Sequence, residues 1–261
     1  MKITFLGTCA GTEPMAGRRH SSFVIERGGG LYWFDAGESC AYTAHLLGID
    51  LLATRAIFIS HRHIDHIGGL PNLLWTIRKL NTRSALKPKP WHDMTLPVFI
   101  PDMSAWKAVW ELLYRYADFT FAIEPSRPQD GLVFEGEGLK VVAAHNRHLG
   151  EPAEREPWES FSYRIEAEDG KSVVFSGDVA DISELRPLLG GADLVLMETG
   201  HHAVQDVCAY LRDSGLVPDQ LGFIHHGRAI LADPDGELEK AKSILGDRVF
   251  LAEDGMVLEL D

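Results

Sequence analysis

The sequence predicts an α/β fold in one domain, and three observations lead to this prediction. Apolar runs of strand length alternate with segments whose apolar residues recur at helical spacing, a pattern typical of α/β proteins. Four of the apolar runs end in histidine or aspartate, as strands do when they carry polar side chains to one edge of a sheet. The chain is long enough for a large core and no linker divides it, so we expect one domain over residues 1–261.

The composition and charge disfavour several classes of protein. Hydrophobic residues make up 45% of the chain, yet no apolar run approaches the length of a membrane span. The apolar start at residues 3–6 is too short for a secretory signal, so we expect a cytoplasmic protein without a membrane partner. Three widely spaced cysteines favour neither a disulfide framework nor a thiolate zinc site. The formal net charge of −13 disfavours nonspecific attraction to nucleic acid.

The chain begins with a strand and a hairpin. Residues 2–7 predict the strand, and the glycine-punctuated loop after it is long for a simple turn. Residues 22–26 and 31–35, on either side of three glycines, predict the hairpin. A helix at 41–47 and an apolar strand at 56–59 follow, so the α/β alternation precedes the central motif.

The rest of the chain continues this alternation. Residues 67–80 have apolar side chains at helical spacing, and residues 81–97 read as an exposed insertion rich in proline and lysine. Ser104 could cap a further helix, whose aromatic stripe runs from Trp106 to Tyr116. The remaining predicted elements are strands at residues 98–100, 139–144, 160–166, 172–175, 192–197, 221–224, 249–252 and 256–260, and a helix at 182–189.

Residues 60–69 form the motif around which the chain is organised. They read Ser-His-Arg-His-Ile-Asp-His-Ile-Gly-Gly and place three imidazoles and one carboxylate within six residues, directly after an apolar strand. His61 and His63, two residues apart, can point to one side and share a metal ion. Asp65 and His66 can turn toward a second ion. Imidazole and carboxylate ligands without thiolate suit Zn, Mn or Fe, and such a mixed set leaves a position open for water or substrate.

Three later strands also end in histidine or aspartate and can complete two metal sites. Strand ends at one edge of a sheet converge although their residues are distant in sequence. Two metal ions about 3.5–4 Å apart lower the pKa of a shared water and stabilise the attacking and leaving oxygens of a hydrolytic displacement. We therefore expect two divalent ions, with Zn favoured and Mn or Fe as alternatives. The expected ligands are His61, His63 and His148 for one ion and Asp65, His66 and His225 for the other, with Asp178 bridging them.

The chain resembles the metallo-β-lactamase superfamily, which carries an H-x-H-x-D-H motif and later His, Asp and His ligands. Within the superfamily it is most similar to the ribonuclease Z branch, and the likeness extends over nearly the full chain. The resemblance implies a four-layer αββα sandwich and places the seven residues named above on the metals. It also implies that Asp35 supports the ligands from behind. The similar stretches are residues 5–11, Arg19 with Ser21 and Ser22, and residues 34–38, 57–61 and 66–71.

Two ligand positions stay open. His145 competes with His148, and the resemblance favours His148, because in this branch the ligand stands seven residues after the first valine of the strand, here Val141. His226 competes with His225, and we prefer the residue directly after the strand. If they are not ligands, His145 and His226 face the substrate, support the ligands or serve only the fold.

Some features of the ribonuclease Z branch are absent from this sequence. The histidine of the branch's proton-transferring His-Glu pair is missing from Met197-Glu198-Thr199, and the loop at residues 14–19 lacks the branch's lysine. No glycine- and proline-rich arm for gripping tRNA is evident either. Together with the net charge, these departures make tRNA processing the less favoured function.

We therefore expect a binuclear metal-dependent hydrolase, a phosphodiesterase in which a metal-bridging hydroxide attacks a small-molecule or short nucleic-acid phosphodiester. Asp65 would orient the nucleophile. Glu198 or His226 would protonate the leaving group, and His201 and His202 are further candidates. The alternatives are a tRNA 3′-processing endoribonuclease, an ester, thioester or lactone hydrolase, an iron redox protein and a non-catalytic binding protein.

A basic run follows the helix after the motif and comprises Arg78, Lys79, Arg83, Lys87 and Lys89. It reads either as a local groove for an anionic substrate or, as charge runs usually do, as a solvated loop. Residues 75–92 also carry tryptophan and proline, so they could form a lid or the face of a homodimer.

Overall fold

The computed structural model describes residues 1–13, 15–86, 89–114 and 119–261. Within them the chain forms two mixed sheets of seven strands each. The strands are β1 (Lys2–Gly7), β2 (Ser22–Arg27), β3 (Gly30–Phe34), β4 (Thr54–Phe58), β5 (Thr95–Phe99), β6 (Ala122–Ser126), β7 (Gly131–Gly136), β8 (Leu139–His145), β9 (Phe161–Ala167), β10 (Ser172–Phe175), β11 (Leu194–Thr199), β12 (Gln220–His226), β13 (Val249–Leu251) and β14 (Val257–Glu259). The helices are α1 (Cys40–Leu46), α2 (Ile64–Ile67), α3 (Leu70–Arg83), α4 (Met103–Tyr114), α5 (Arg186–Leu189), α6 (Val204–Ser214), α7 (Arg228–Ala232) and α8 (Pro234–Leu245), with 3-10 turns at Leu51–Ala53, Ile182–Leu185 and Gly246–Arg248.

The strand directions bring several strand ends to one edge of the molecule. The first sheet has the order β14-β1-β2-β3-β4-β5-β6, and the second has the order β13-β12-β11-β10-β9-β8-β7. Strands β3 to β6 are parallel in the first sheet, as are β10 to β13 in the second. Because β8 and β10 are both antiparallel to β9, they run in the same direction. The carboxyl ends of β8, β10, β11 and β12 therefore lie along one edge of the second sheet.

Each sheet buries both of its faces, which produces three apolar cores in four layers. Alternate residues of a strand point to opposite faces, so Phe58 of β4 lies in the core between the sheets and Ile57 lies against helices α1, α3 and α4. The outer face of the second sheet packs on α5, α6 and α8. The predicted αββα sandwich is confirmed.

The predicted hairpin is present, and the chain contains a second one. Strands β2 and β3 pair in antiparallel fashion, and their turn uses Gly28 and Gly29 at φ 59° and 80°. These are left-handed conformations that glycine adopts without strain. The predicted strands at residues 160–166 and 172–175 correspond to β9 and β10, which form the second antiparallel pair.

The helix predicted at residues 67–80 is present as α3 (Leu70–Arg83), but Ile67 belongs to a separate short helix, α2 (Ile64–Ile67). They are separated by Gly68 and Gly69, and a Cβ atom on Gly69 would lie 2.1 Å from the carbonyl oxygen of Gly37. The chain therefore bends where a loop from the neighbouring strand approaches the backbone. As a result, the carboxylate and the third histidine of the motif lie on α2, a helix of one turn.

The predicted cap of helix α4 is also different. Asp102, rather than Ser104, caps this helix, because Asp102 Oδ1 accepts hydrogen bonds from the backbone N–H of Ser104 at 2.7 Å and of Ala105 at 3.2 Å. Tyr116, predicted at the end of the aromatic stripe, lies outside the described residues.

The insertion predicted to be exposed at residues 81–97 is partly a core segment. Trp91 is buried against the helices on the first sheet, and its indole N–H donates to the carbonyl oxygen of Leu52 at 2.7 Å. Burial of an aromatic ring of this size is strongly favourable. Trp91 therefore does not contribute to a surface for a partner, and the homodimer stays a prediction.

The basic run lies partly over an aromatic ring. The guanidinium of Arg78 is 5.0 Å and the ammonium of Lys79 is 4.8 Å from the ring centre of Trp75, which are cation–π distances. Lys87 lies outside the described residues. No helix in the described part of the chain is both long enough and apolar enough to cross a membrane, and the cytoplasmic location stays a prediction.

Candidate metal centre

The side chains expected to bind metal meet where strand ends from the two sheets face each other. The motif follows β4 of the first sheet, whereas His148, Asp178 and His225 follow or end strands of the second. The backbone turns sharply near the ends of β3, β10 and β12, with positive φ at Asp35 (57°), Gly177 (56°) and His225 (50°). Aspartate and histidine adopt this conformation at a cost of about 1–3 kcal/mol, and such strain is concentrated at functional sites.

One group of possible ligands combines two motif histidines with two later residues. The donor atoms of His61, His63, His148 and Asp178 all lie within 4.8 Å of one another. His148 Nε2 is 3.2 Å from His63 Nδ1 and 3.6 Å from Asp178 Oδ2. This is the first predicted ligand set, with His148 rather than His145 in it.

A second group lies on the other side of Asp178. It consists of Asp65, His66 and His225, and His225 Nε2 is 3.1 Å from both His66 Nε2 and Asp65 Oδ2. Asp178 Oδ1 is 3.4 Å from His66 Nε2, while its other oxygen, Oδ2, faces His148 of the first group. The two oxygens of one carboxylate thus face two groups of donors, as a bridging carboxylate requires.

The arrangement of these atoms fits a pair of cations. Buried polar atoms normally have hydrogen-bond partners, but His61 Nε2, Asp178 Oδ1 and His225 Nδ1 have none among the described residues. The lone pairs of two imidazoles about 3 Å apart repel unless a proton or a cation lies between them. The His and Asp clusters are therefore suited to a metal ion pair.

The charges in the centre are balanced within a small buried volume. Burial alone would raise the pKa of Asp178, but His225 and His66 outweigh it and hold that pKa well below its usual range. Burial alone would lower the pKa of His225, but Asp178 and Asp65 oppose it, and the pKa rises to about 9. Burial holds the pKa of His61 well below its usual range. Divalent cations can take over the role that protons have here, since metal ions and protons compete for the same ligands.

Asp35 and Ser60 hold the motif histidines in position. His66 Nδ1 donates to Asp35 Oδ2 at 2.6 Å, and Asp35 also accepts from the backbone N–H and the hydroxyl of Ser60. The Ser60 hydroxyl is 3.0 Å from His61 Nδ1. With both Nδ1 atoms engaged, the Nε2 atoms of His61 and His66 face the centre, as in metal sites whose ligands are oriented by partners behind them.

Glu198 and His201 form a further group beside Asp178 and His225. The fully buried Glu198 carboxylate accepts from the backbone N–H of His201 at 2.9 Å and lies 3.2 Å from its Nδ1. This hydrogen bond raises the pKa of His201. His202 instead donates Nε2 to the carbonyl oxygen of Val179 at 3.0 Å.

The two competing histidines lie away from the donor groups. His145 Nδ1 is 2.7 Å from Asp130 Oδ2, and its ring stacks on Trp158 with 4.0 Å between ring centres. His226 is fully buried and donates Nε2 to the carbonyl oxygen of Ala252 at 2.8 Å. Burial lowers the pKa of His226 to about 4, so this ring is neutral and directed into the protein.

Sequence reasoning gave no role to several residues that shape the centre. A Cβ atom on Gly11 would lie 2.9 Å from the Asp65 carboxylate, and one on Gly200 would lie 2.7 Å from His225 Nδ1. The glycines before and after the ligand loops are the signal that could have indicated such close approaches. The clusters open into a cavity of about 590 Å³, lined among others by Thr12, His201 and Arg228.

A family model, the Beta-lactamase superfamily domain, matches residues 33–226. This chain belongs to the metallo-β-lactamase superfamily. Among curated relatives, a ribonuclease Z from Haloferax volcanii is 25% identical, and the alignment covers 100% of this chain and 95% of the relative. That alignment runs over 305 positions, more than the 261 residues of this chain, so the relative carries segments that this chain lacks. The predicted resemblance to the ribonuclease Z branch is confirmed, and the chain is a metal-dependent hydrolase.

Solved structures share the same fold over nearly the whole chain. The metallo-beta-lactamase fold protein YhfI from Bacillus subtilis aligns with a TM-score of 0.74 at 19% identity, over 98% of each chain. The short form of human tRNase Z aligns with a TM-score of 0.70 at 22% identity, over 100% of each chain. These structures therefore share the fold of this chain.

Proposed function

We propose that this chain, as one domain over residues 1–261, hydrolyses phosphodiesters at a pair of divalent metal ions, with Zn favoured. The observation that carries the proposal is the position of Asp178, whose two carboxylate oxygens face two separate groups of imidazole and carboxylate donors. We assign the ligands as His61, His63 and His148 for one ion and Asp65, His66 and His225 for the other, with Asp178 between them.

A bound metal pair lowers the pKa of a water molecule and stabilises negative charge on the oxygens of phosphorus. Side chains of the protein orient the attacking water and protonate the leaving group. Asp65 lines the cavity, and its carboxylate can accept a hydrogen bond from the attacking water and so orient it. His201 lines the same cavity, while Glu198 holds His201 Nδ1. His201 Nε2 is therefore available to protonate the leaving oxygen. The other candidates for this general acid were Glu198, His202 and His226.

The names of the relatives support phosphorus rather than carbon as the centre that is attacked. The Haloferax relative is named a ribonuclease Z and the human protein a tRNase Z, and ribonucleases cleave phosphodiester bonds. The same centre could attack an ester, thioester or lactone, but neither of these two proteins is named for such an activity.

We favour a small-molecule or short nucleic-acid diester over a tRNA precursor. The chain carries 38 acidic against 25 basic side chains, and a long nucleic acid is held mainly through cationic contacts to its phosphates. The full-length alignment with a ribonuclease Z favours tRNA 3′ processing as the second candidate function.

Metal content and a substrate panel test the proposal together. Protein purified without added metal should contain two equivalents of metal and hydrolyse bis(p-nitrophenyl) phosphate. Asp178→Ala should lower kcat/KM at least about a hundredfold, because it removes the ligand shared by both groups. Asp130→Ala changes a carboxylate beside His145, outside the donor groups, and should leave activity unchanged. Turnover confined to carboxylic esters, or activity that survives the double change His63→Ala with Asp178→Ala, would contradict the proposal.

A further inference from the structure

An exposed ion pair lies at one side of the cavity above the metal centre. Arg228, the first residue of α7, donates from Nη1 and Nη2 to the two carboxylate oxygens of Glu13 at 3.2 and 2.9 Å. Their side chains are 76% and 64% exposed. Arg228 lines the cavity together with Thr12, the neighbour of Glu13 in sequence. The pair therefore connects the loop that carries Thr12 with the start of α7.

The backbone under this pair is held by hydrogen bonds, whereas the two side chains are exposed to solvent. The N–H of His226 donates to the carbonyl oxygen of Thr8 at 2.7 Å, and the N–H of Ala10 donates to the carbonyl oxygen of His226 at 3.1 Å. These bonds hold the loop after β1 against the end of β12. The Arg228 guanidinium can therefore turn from Glu13 into the cavity by rotation of its own side chain, without a movement of the backbone.

Arg228 differs in its permanent positive charge from the other described residues that line the cavity. Of the described residues that line the cavity, Arg228 is the only lysine or arginine. An ion pair as exposed as this one contributes little to stability, since water screens it. A guanidinium binds phosphate through two parallel hydrogen bonds. An incoming phosphate group can thus replace the Glu13 carboxylate at little cost.

We propose that Arg228 exchanges Glu13 for a second phosphate group of the substrate, so that the preferred substrates are diesters that carry an additional phosphate. The inference rests on the proposed function, because it assigns the scissile phosphate to the metal centre. The cavity of about 590 Å³ is in the size range of small-molecule sites. It has room for more than the scissile group.

Three dinucleotides test this selectivity: uridylyl-3′,5′-uridine alone, with a 5′-phosphate and with a 3′-phosphate. The wild-type protein should have a KM about tenfold lower for one of the phosphorylated forms. Arg228→Ala should remove that preference and leave kcat/KM for the unphosphorylated form within twofold. Arg228→Lys should keep part of the preference, since it keeps the charge without the paired geometry. Glu13→Gln should lower the KM of the preferred form by about twofold to threefold, because it removes the competing carboxylate.

A wild-type protein without any preference, or an Arg228→Ala variant that slows all three dinucleotides equally, would overturn the inference. If no diester is hydrolysed at all, the proposed function fails. The role of Arg228 is then tested separately by measuring how tightly the protein binds phosphate-containing anions. Titration calorimetry of the protein with its own metal content should then show that Arg228→Ala weakens pyrophosphate about tenfold and leaves inorganic phosphate unchanged. Equal effects on both anions, or none, would count against a second phosphate site.

Discussion

In the proposed mechanism, His201 takes the proton-transfer role of the histidine that is missing from Met197-Glu198-Thr199. Its backbone N–H and its Nδ1 both face Glu198, and its ring stacks at 5.9 Å from that of His225. Close to half of the His201 side chain is exposed, which suits a group that meets a leaving oxygen. We therefore propose that Glu198 is a positioning residue, which would act through His201.

The choice of leaving group tests the role of His201. His201→Ala should lower kcat at least about a hundredfold on a dinucleotide, whose alkoxide leaving group needs a proton. On bis(p-nitrophenyl) phosphate, whose leaving group is stable as an anion, the same change should cost less than about fivefold. His202→Ala is the matched control and should affect neither substrate strongly. Equal losses on both substrates would show that His201 serves only to hold the site together.

The lowered pKa of Asp102 predicts how the stability of the protein changes with pH. Burial opposes ionisation of Asp102, but hydrogen bonds from Ser104 and Arg62 outweigh it and lower its pKa to about 2. Because the folded pKa lies below the unfolded one, the stabilisation is complete above about pH 4 and is lost as the pH falls toward 2. Asp102→Ala should reduce the free energy of unfolding by about 2 kcal/mol at pH 7.

Urea unfolding at pH 7 and pH 3 checks this prediction, and the gap between the wild type and Asp102→Ala should narrow at the lower pH. Asp102→Asn keeps an acceptor for the helix cap but not the charge, so its smaller deficit at pH 7 reflects mainly the ion pair with Arg62. A gap that is constant between the two pH values would mean that the carboxylate charge contributes nothing.

One carboxylate forms hydrogen bonds to both the loop that carries His148 and the loop that carries Asp178. Glu184 lies in the 3-10 turn after β10, and its Oε1 accepts from the backbone N–H and the Nε of Arg147, next to His148. Its Oε2 accepts from the backbone N–H of Ala180 at 3.0 Å, in the loop that follows Asp178. The side chain is only 8% exposed. Glu184 therefore sets the distance between two expected ligands that follow different strands.

Glu184→Gln should weaken metal binding about tenfold, because groups behind the ligands fix their orientation. Competition with a chelator, read as metal retained per chain, measures this. Glu151→Gln is a matched control, since Glu151 is an exposed residue 4.0 Å from the same Arg147. Equal metal retention in both variants would mean that the loops keep their positions without Glu184.

The elements that carry ligands were the ones most readily predicted. Strands β4, β10 and β12 are continuous apolar runs because both faces of each sheet are buried, and their ends could therefore be found from the sequence. Strand β7 has mostly exposed or half-exposed residues at the edge of a sheet, so no apolar run marks it. Helix α6 was also missed, although Val204, Val207, Cys208 and Leu211 have helical spacing.

The partners of the ligands were harder to predict than the ligands. The spacing within the motif is local, so it indicated two groups of donors directly. Which histidine near β8 or β12 joins them depends on the direction of one side chain, and His145 instead pairs with Asp130 while His226 points to Ala252. Contacts between residues distant in sequence depend on how the strands pack. Neither the periodicity nor the composition of the sequence gives that information.

At the scale of the whole molecule, the metal centre connects the two sheets. Its donors come from the end of the first sheet on one side and from three strands of the second on the other. A metal pair that binds only the folded chain adds to its stability by mass action. Removal of metal with a chelator should therefore lower the melting temperature by about 5–10 °C.

Readdition of Zn should restore the melting temperature of the wild type. The Asp178→Ala variant should lose much less on chelation, because it lacks the shared ligand from the start. A wild-type melting temperature that does not change, although elemental analysis shows that the metal has been removed, would mean that the sheets hold together without the centre.

The charge of the whole molecule separates the two candidate substrates. With a formal net charge of −13 and Arg228 as the only lysine or arginine among the described residues that line the cavity, the protein can neutralise few phosphates of a long RNA. Each neutralised phosphate of a single strand contributes about −0.7 to the slope of log K against log salt. We expect the binding of a tRNA precursor to change with a slope shallower than about −2, which corresponds to about three phosphates. A slope steeper than about −4, measured by filter binding between low and moderate salt, would reveal an RNA-binding surface and make tRNA 3′ processing the better assignment.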